Sequence, residues 1–169
     1  MFAQPYLDEV SLALRESCSA AILDGDDIVY VCRSAENRIM SISLLVGTRL
    51  PAYCTSMGQV LLAHLPADEL DAYFARVRLI ARTDRTITSV AKLRKVLDKV
   101  RSSGHAMLDQ ELEVGLRSIA VPVVDGRGNV AAAINVGAHA SRVTLDQMQT
   151  RFLPPLLKCA ASLGTMLRG

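Results

Sequence analysis

The stretch that decides the fold is residues 105–141, HAMLDQELEVGLRSIAVPVVDGRGNVAAAINVGAHAS. It contains two dense apolar runs, at 116–124 and 130–137, separated by the turn sequence DGRGN at 125–129. β-Branched residues are frequent in the first run, as in buried strands. Gly, Asp and Asn tolerate the positive φ angles of tight hairpin turns. The sequence therefore predicts a hairpin in the middle of an antiparallel sheet.

Asn135 is the unusual residue of the second run, because it places a polar amide between Ile134 and Val136. A buried amide needs hydrogen-bond partners. The sequence leaves two kinds of partner open, namely backbone groups and a bound small molecule.

Apolar periodicity and capping residues predict the elements on both sides of the hairpin. Thr55 and Ser89 are predicted helix N-caps, Thr144 and Gln147 fit a capping box, and Pro154-Pro155 should kink the last helix or end a first segment of it. The predicted helices are 5–15, 56–65, one starting at 66, 90–103 and 144–167; the predicted strands before the hairpin are 17–23, 28–33 and 39–46, with a break at 47–51. This order indicates one α+β domain, with an antiparallel central sheet flanked by helices.

Composition and charge argue against several classes of protein. The chain has 169 residues, half of them apolar, which suits one domain with a substantial core. No apolar run is long enough to span a bilayer, and no signal segment follows Met1, so we expect a cytoplasmic protein without a membrane partner. A net charge of +2 does not favour nucleic acid. The four cysteines have no CxxC spacing, which argues against a zinc site or a redox motif.

Side chains that could carry catalysis are scattered along the chain. His64, His105 and His139 fall in different predicted elements, and the acidic run 109–113 is more typical of a solvated loop than of an acid/base pair. The turn glycines do not lie between a strand and a helix, as a phosphate loop requires. We therefore expect no enzyme and no cofactor. The spacing favours a small-molecule pocket on one face of the sheet, closed by the Thr55 helix and the Asp109 loop.

Two longer segments resemble one protein family. GTRLPAYCTSMGQVLLA at 47–63 resembles the start of the effector pocket in IclR-type bacterial transcriptional regulators, and DQELEVGLRSIAVPV at 109–123 resembles their acidic loop with the following G-L-R and A-x-P-V strand. ESCS at 16–19, DGD at 24–26 and SRVT at 141–144 also match in order. RS at 33–34 and RIMS at 38–41 are similar to the branch that regulates protocatechuate, 4-hydroxybenzoate and β-ketoadipate catabolism.

The resemblance implies a GAF-like, ligand-sensing domain over residues 1–169 that forms a homodimer or homotetramer. Family members carry a winged helix-turn-helix domain before this one, and the 169 residues of this chain include no match to it. We therefore expect contact with DNA only through that missing N-terminal domain.

The resemblance also implies a set of effector contacts. Arg33 or Arg38 would bind a second carboxylate if the effector, a small organic acid, is dicarboxylic; a plain surface charge is an equally good interpretation of each. For Arg117 we favour a structural ion pair with Asp109 or Glu111. Asn135 and Gly137 stand where some members have small hydroxyl residues. The implied contacts are Ser56, Met57, Asp109, Leu116, Ser118, Asn135 and Gly137, with Ile39 and Ile42 as an apolar wall.

The sequence leaves two rival functions open. A GAF-like thiol redox enzyme would need Cys32, Cys54 and Cys159 to converge, with an exposed thiol of low pKa. A ligand-free oligomerisation module would fill its pocket with its own side chains. We favour the sensor over both.

Overall fold

The structure of the protein is a computed structural model that describes residues 3–35 and 44–167. The predicted helices and the central hairpin are confirmed, with bounds that differ by a few residues. The elements, in chain order, are α1 Gln4–Leu14, β1 Ser17–Asp24, β2 Asp27–Ser34, β3 Arg49–Pro51, α2 Ser56–Ala63, α3 Ala67–Arg76, α4 Val90–Ser103, β4 Ala106–Asp109, β5 Leu116–Val124, β6 Val130–His139, α5 Leu145–Gln147 and α6 Leu153–Met166.

In the described part of the chain, six strands form one antiparallel sheet in the order β3-β2-β1-β6-β5-β4. The β5–β6 hairpin pairs Leu116 with His139 and continues to Val124 opposite Val130. β6 also pairs with β1, so it lies in the middle of the sheet, as the sequence predicted.

Successive strand residues point to opposite faces of the sheet. Both faces are therefore apolar, and helices cover each of them. Ala120 packs in the core beneath α2 and α4, whereas its neighbours Ile119 and Val121 pack in the core beneath α1 and α6. The result is the predicted α+β architecture, and it is GAF-like. Among the described helices, none is long and apolar enough to cross a bilayer.

The two edge strands, β3 and β4, were not predicted from the sequence. β3 has three residues and β4 has four, too few to show a period-2 pattern. The predicted break at 47–51 is therefore wrong from Arg49 onward. The predicted strand 39–46 falls mostly outside the described residues, and residues 44–46 are not part of a strand.

The last helix begins as predicted, and a first segment ends before Pro154 and Pro155. Thr144 and Gln147 form the capping box, and a π-helical turn, Met148–Phe152, separates α5 from α6. Pro154 and Pro155 have no N–H to donate to the preceding turn. The wider turn lies directly before them, where a local departure from α-helical bonding is expected.

Candidate functional site

The candidate site is a cavity between one face of the sheet and the N-terminus of α2. Its volume is about 30 Å³, on the order of two water molecules. The lining residues are Ser17, Tyr30, Arg33, Leu44, Cys54, Thr55, Ser56, Met57, Leu108, Glu111, Leu112, Leu116, Ser118, Asn135 and Gly137.

The N-terminus of α2 presents free amide groups to this cavity. Thr55 caps the helix by accepting a hydrogen bond from the Gly58 N–H at 3.1 Å. The N–H groups of Ser56 and Met57 have no acceptor among the residues that the structure describes. Gly58 is required for this close geometry, since a Cβ there would clash with the Ala52 carbonyl oxygen. Free amides and the positive end of the helix dipole favour a bound anion.

Two serine hydroxyls lie beside these amides. Ser56 is 1% exposed, and its Oγ is buried without a hydrogen-bond partner within 3–35 and 44–167. Ser118 Oγ, on β5, forms no hydrogen bond in the same part of the chain. A buried polar group without a partner is costly. The Ser56 hydroxyl therefore points to a ligand that has polar atoms, and Ser118 lines the same cavity.

Asn135 has a backbone partner for only one of the two polar atoms of its side-chain amide. Its Oδ1 accepts a hydrogen bond of 3.1 Å from the N–H of Ser19 on β1. Its Nδ2 has no acceptor in the described part of the chain, and Asn135 lines the cavity. The amide thus uses one backbone partner and retains a donor for a ligand.

A β-bulge brings Arg33 into the cavity. Ala20 pairs with Cys32 and Ala21 pairs with Tyr30, so Val31 is an extra residue of β2. The extra residue reverses the alternation of faces, and Tyr30 and Arg33, three positions apart, line the same cavity.

Arg33 is the one basic residue among the described residues that line the cavity. Its Nη1 donates to Ser19 Oγ at 2.9 Å, and no carboxylate within the described ranges pairs with it. Burial lowers its pKa, so an anion that approaches Arg33 relieves an unpaired, partly desolvated charge.

Asp109 is not among the residues that line the cavity in the described structure, so its predicted contact with the effector stays a prediction. Its Oδ1 accepts from Arg117 Nε at 2.7 Å and its Oδ2 accepts from Arg85 Nη1 at 2.7 Å. Burial acts to raise the pKa of Asp109, but hydrogen bonds from Arg117 and Gln110 and the two arginine charges lower it overall. The structural interpretation of Arg117 is confirmed, with Asp109 as its partner.

Among the described residues, Glu111 is the acidic residue that lines the cavity, and the sequence analysis missed this role. Gln59 Nε2 donates to Glu111 Oε1 at 3.4 Å, a weak contact. Burial raises the pKa of Glu111 to about 7, against the opposing effect of Gln59 and with a smaller contribution from the charge of Asp109. The acidic run 109–113 indicated that a carboxylate could lie at the site. Its backbone is irregular, so the sequence does not show which carboxylate points into the cavity.

Most of the implied contacts converge on this cavity. Arg38, Ile39 and Ile42 lie outside the described residues. The implied contacts that line the cavity are Ser56, Met57, Leu116, Ser118, Asn135, Gly137 and Arg33.

The four cysteines are buried and reduced. Burial raises the pKa of Cys54 to about 12 and of Cys159 to about 11, and it also raises the pKa of Cys18 and Cys32. Thiols that resist ionisation are poor nucleophiles. Across residues 3–35 and 44–167, no group of three or more His, Cys, Asp or Glu could hold a metal ion. This arrangement does not suit the thiol redox enzyme.

An α+β domain with a polar cavity at a helix N-terminus is suited to binding a small molecule. The family model described as bacterial transcriptional regulator IclR C-terminal matches residues 1–165, so the chain belongs to the IclR family. It is the effector-binding domain of that family, a regulatory domain rather than an enzyme.

Particular relatives place the chain in the Pca and PobR branch of the family. The Pca regulon regulatory protein of Pseudomonas putida is 49% identical over 168 residues, which are 99% of this chain and 58% of that protein. The p-hydroxybenzoate hydroxylase transcriptional activator of Acinetobacter baylyi is 32% identical over 170 residues, covering 98% of this chain and 63% of that protein. The chain thus spans about three fifths of the length of these curated relatives.

A solved structure gives the same assignment. The inducer-binding domain of an Acinetobacter PobR double mutant, in complex with 3-hydroxybenzoic acid, superposes with a TM-score of 0.92 at 31% identity. The match covers 98% of this chain and 97% of that one. The fold of the present chain is therefore that of a domain whose crystal structure contains a small aromatic acid.

Proposed function

We propose that the cavity binds a small aromatic or dicarboxylic acid from aromatic catabolism and that the domain senses this acid for a transcriptional regulator. The single observation that carries the proposal is the buried Ser56 hydroxyl, which has no partner in the described chain and lies beside the free amides of Ser56 and Met57. The 3-hydroxybenzoic acid in the PobR relative supports an acid of this class.

One carboxylate is expected at the start of α2. It accepts hydrogen bonds from the Ser56 and Met57 amides and from the Ser56 and Ser118 hydroxyls. Several aligned donors in a site of low dielectric bind a carboxylate more strongly than they do in water. Arg33 is placed to pair with a second carboxylate on a dicarboxylic acid.

The cavity has to widen around its ligand. Its volume of about 30 Å³ in the described structure corresponds to about two water molecules, so we expect lining side chains to move apart when a benzoate binds. A change of this kind couples ligand to conformation, because the ligand favours the state with the wider cavity. In the whole regulator, we propose that this shift acts through a homodimer or homotetramer on an N-terminal DNA-binding domain, in the cytoplasm.

The narrow cavity also favours a second candidate, the ligand-free oligomerisation module. In that case, the side chains around the cavity close on each other, and no small acid stabilises the domain. The two candidates predict different effects of an added acid on the melting temperature of the domain. A ligand at a concentration of about 100 times its Kd adds about 2.7 kcal/mol to stability, which raises the melting temperature of a domain of this size by roughly 5–10 °C.

Thermal shift and titration calorimetry with protocatechuate, 3-hydroxybenzoate, 4-hydroxybenzoate and β-ketoadipate test the proposal. Phenol and benzyl alcohol, which lack a carboxylate, are the controls and should give neither heat nor a shift. Absence of heat with all four acids and a folded protein overturns the proposed function and leaves the oligomerisation module.

A further inference from the structure

Glu111 is anchored so that its carboxyl group lies in the cavity wall. The Thr86 hydroxyl donates to the Glu111 backbone carbonyl at 2.6 Å, and Thr83 donates to the neighbouring Gln110 carbonyl at 2.6 Å. Gln59, on α2, contacts the carboxyl group itself. The backbone of the loop between β4 and β5 is therefore held in place, and the Glu111 side chain faces the cavity.

The part of the Glu111 surroundings that the structure describes contains no cation that pairs with it. No ion pair to Glu111 forms within residues 3–35 and 44–167. Arg33 shares the cavity but donates to Ser19 instead. Gln59 of α2, Asp109 of β4 and Cys54 before α2 interact with Glu111. Tyr30 and Arg33 of β2 line the same cavity.

An ionised Glu111 would therefore conflict with an acidic effector. Two carboxylates in one small cavity of low dielectric repel each other unless one of them takes a proton. A protonated carboxyl group has one O–H donor, which suits an anionic or hydroxyl oxygen of the effector. The pKa of about 7 means that the free protein already holds this proton part of the time near neutral pH.

We infer that Glu111 contacts the effector as a neutral acid, donates a hydrogen bond to it, and takes up a proton from solvent when the effector binds. This inference rests on the proposed function, because it needs an acid in the cavity. Glu111 then sets the pH range over which the domain binds its effector. The only bond made is the O–H bond of the carboxyl group, which forms with a proton from solvent and breaks when the proton leaves with the effector.

The first test uses the ligand-free protein and Glu111→Gln, which keeps the shape and neutrality of the protonated side chain. The raised pKa of Glu111 means that the folded state favours the proton, so this contribution is full below the unfolded pKa and is lost as pH rises toward about 7. The melting temperature of the wild type should fall relative to Glu111→Gln between about pH 5 and 8. Parallel curves overturn the inference.

The second test measures proton uptake by calorimetry of 4-hydroxybenzoate and of β-ketoadipate, each in two buffers of different ionisation enthalpy. For a pKa of about 7, the wild type should take up about half a proton near pH 7 and almost one at about pH 8. Its affinity should fall about tenfold per pH unit above this range. Glu111→Gln should show neither effect.

Glu113→Gln is the matched control, since it removes a carboxylate from the same loop without changing a residue of the cavity wall. It should titrate like the wild type. Binding without proton uptake in the wild type, or equal uptake in Glu111→Gln, overturns this inference while the proposed function stands. Absence of binding in every variant overturns the proposed function, and this inference with it.

Discussion

Asp109 and Arg117 face each other across β4 and β5, with Arg117 Nε donating to Asp109 Oδ1 at 2.7 Å. Arg117 Nη1 also donates to the Val143 carbonyl at 2.8 Å, just before α5 begins. One guanidinium therefore connects an edge strand, a central strand and the start of the last helix. This network shapes the loop that carries Glu111, although neither residue touches the cavity.

Arg117→Lys should lower the free energy of unfolding by about 1–3 kcal/mol, because a lysine cannot reproduce the planar fork that reaches Asp109 and Val143 together. Urea unfolding followed by circular dichroism measures the loss. Arg85→Lys is the control, since Arg85 pairs with the same Asp109 but has a side chain that is 60% exposed; it should cost less than about 1 kcal/mol. Equal losses in the two variants would contradict this role of Arg117.

The parts of the fold that were predictable from sequence depend on local signals. The β5–β6 hairpin has a turn sequence between two β-branched runs, and Thr55 and Ser89 each cap a helix as expected. Propensity and capping act over a few residues, so a single sequence displays them. β3 and β4 are stabilised instead by pairing with strands distant in sequence, and short segments of this kind have no local signal.

The candidate site was only partly predictable for the same reason. Family motifs located Ser56 and Ser118, which the structure brings to one cavity. The bulge at Val31 that turns Arg33 toward the cavity depends on pairing between β1 and β2, and pairing register is not visible in composition. Asp109 and Glu111 are two positions apart in one acidic run. Only the arginines around Asp109 decide which carboxylate is structural.

The cysteines should be inert in the folded protein. Because burial raises the pKa of all four thiols, little thiolate is available at neutral pH. Ellman's reagent should detect no reactive thiol until urea unfolds the chain, and mass spectrometry after mild peroxide should find neither sulfenate nor disulfide. A thiol that reacts at once in the native protein would contradict this prediction and favour the thiol redox enzyme.

Arg33→Gln should discriminate between classes of effector. If Arg33 binds a second carboxylate, the variant loses a charged hydrogen bond to β-ketoadipate, worth about 1.5–3 kcal/mol, or roughly 10- to 150-fold in affinity. Binding of 4-hydroxybenzoate, which has one carboxylate, should change by less than about threefold. Calorimetry near pH 7 compares the two acids.

Arg49→Gln is the control for this comparison, because Arg49 pairs with Asp24 and Asp27 away from the cavity. It should leave both affinities unchanged. Equal losses of both acids in Arg33→Gln would contradict the prediction and place Arg33 at the carboxylate that the two acids share.

Ser56→Ala should separate stability from binding. The Ser56 hydroxyl is buried without a partner among the described residues, so its removal should leave the free energy of unfolding unchanged or raise it by up to about 1 kcal/mol. The same variant should bind carboxylic acids about tenfold or more weakly, since a hydrogen bond to a charged group is lost. Urea unfolding and calorimetry on one preparation measure both quantities. Ser102→Ala on the exposed side of α4 is the control, and it should change neither. A destabilised Ser56→Ala with unaltered affinity would mean that the hydroxyl serves the fold, and the amides of α2 would then lose their assignment as the carboxylate site.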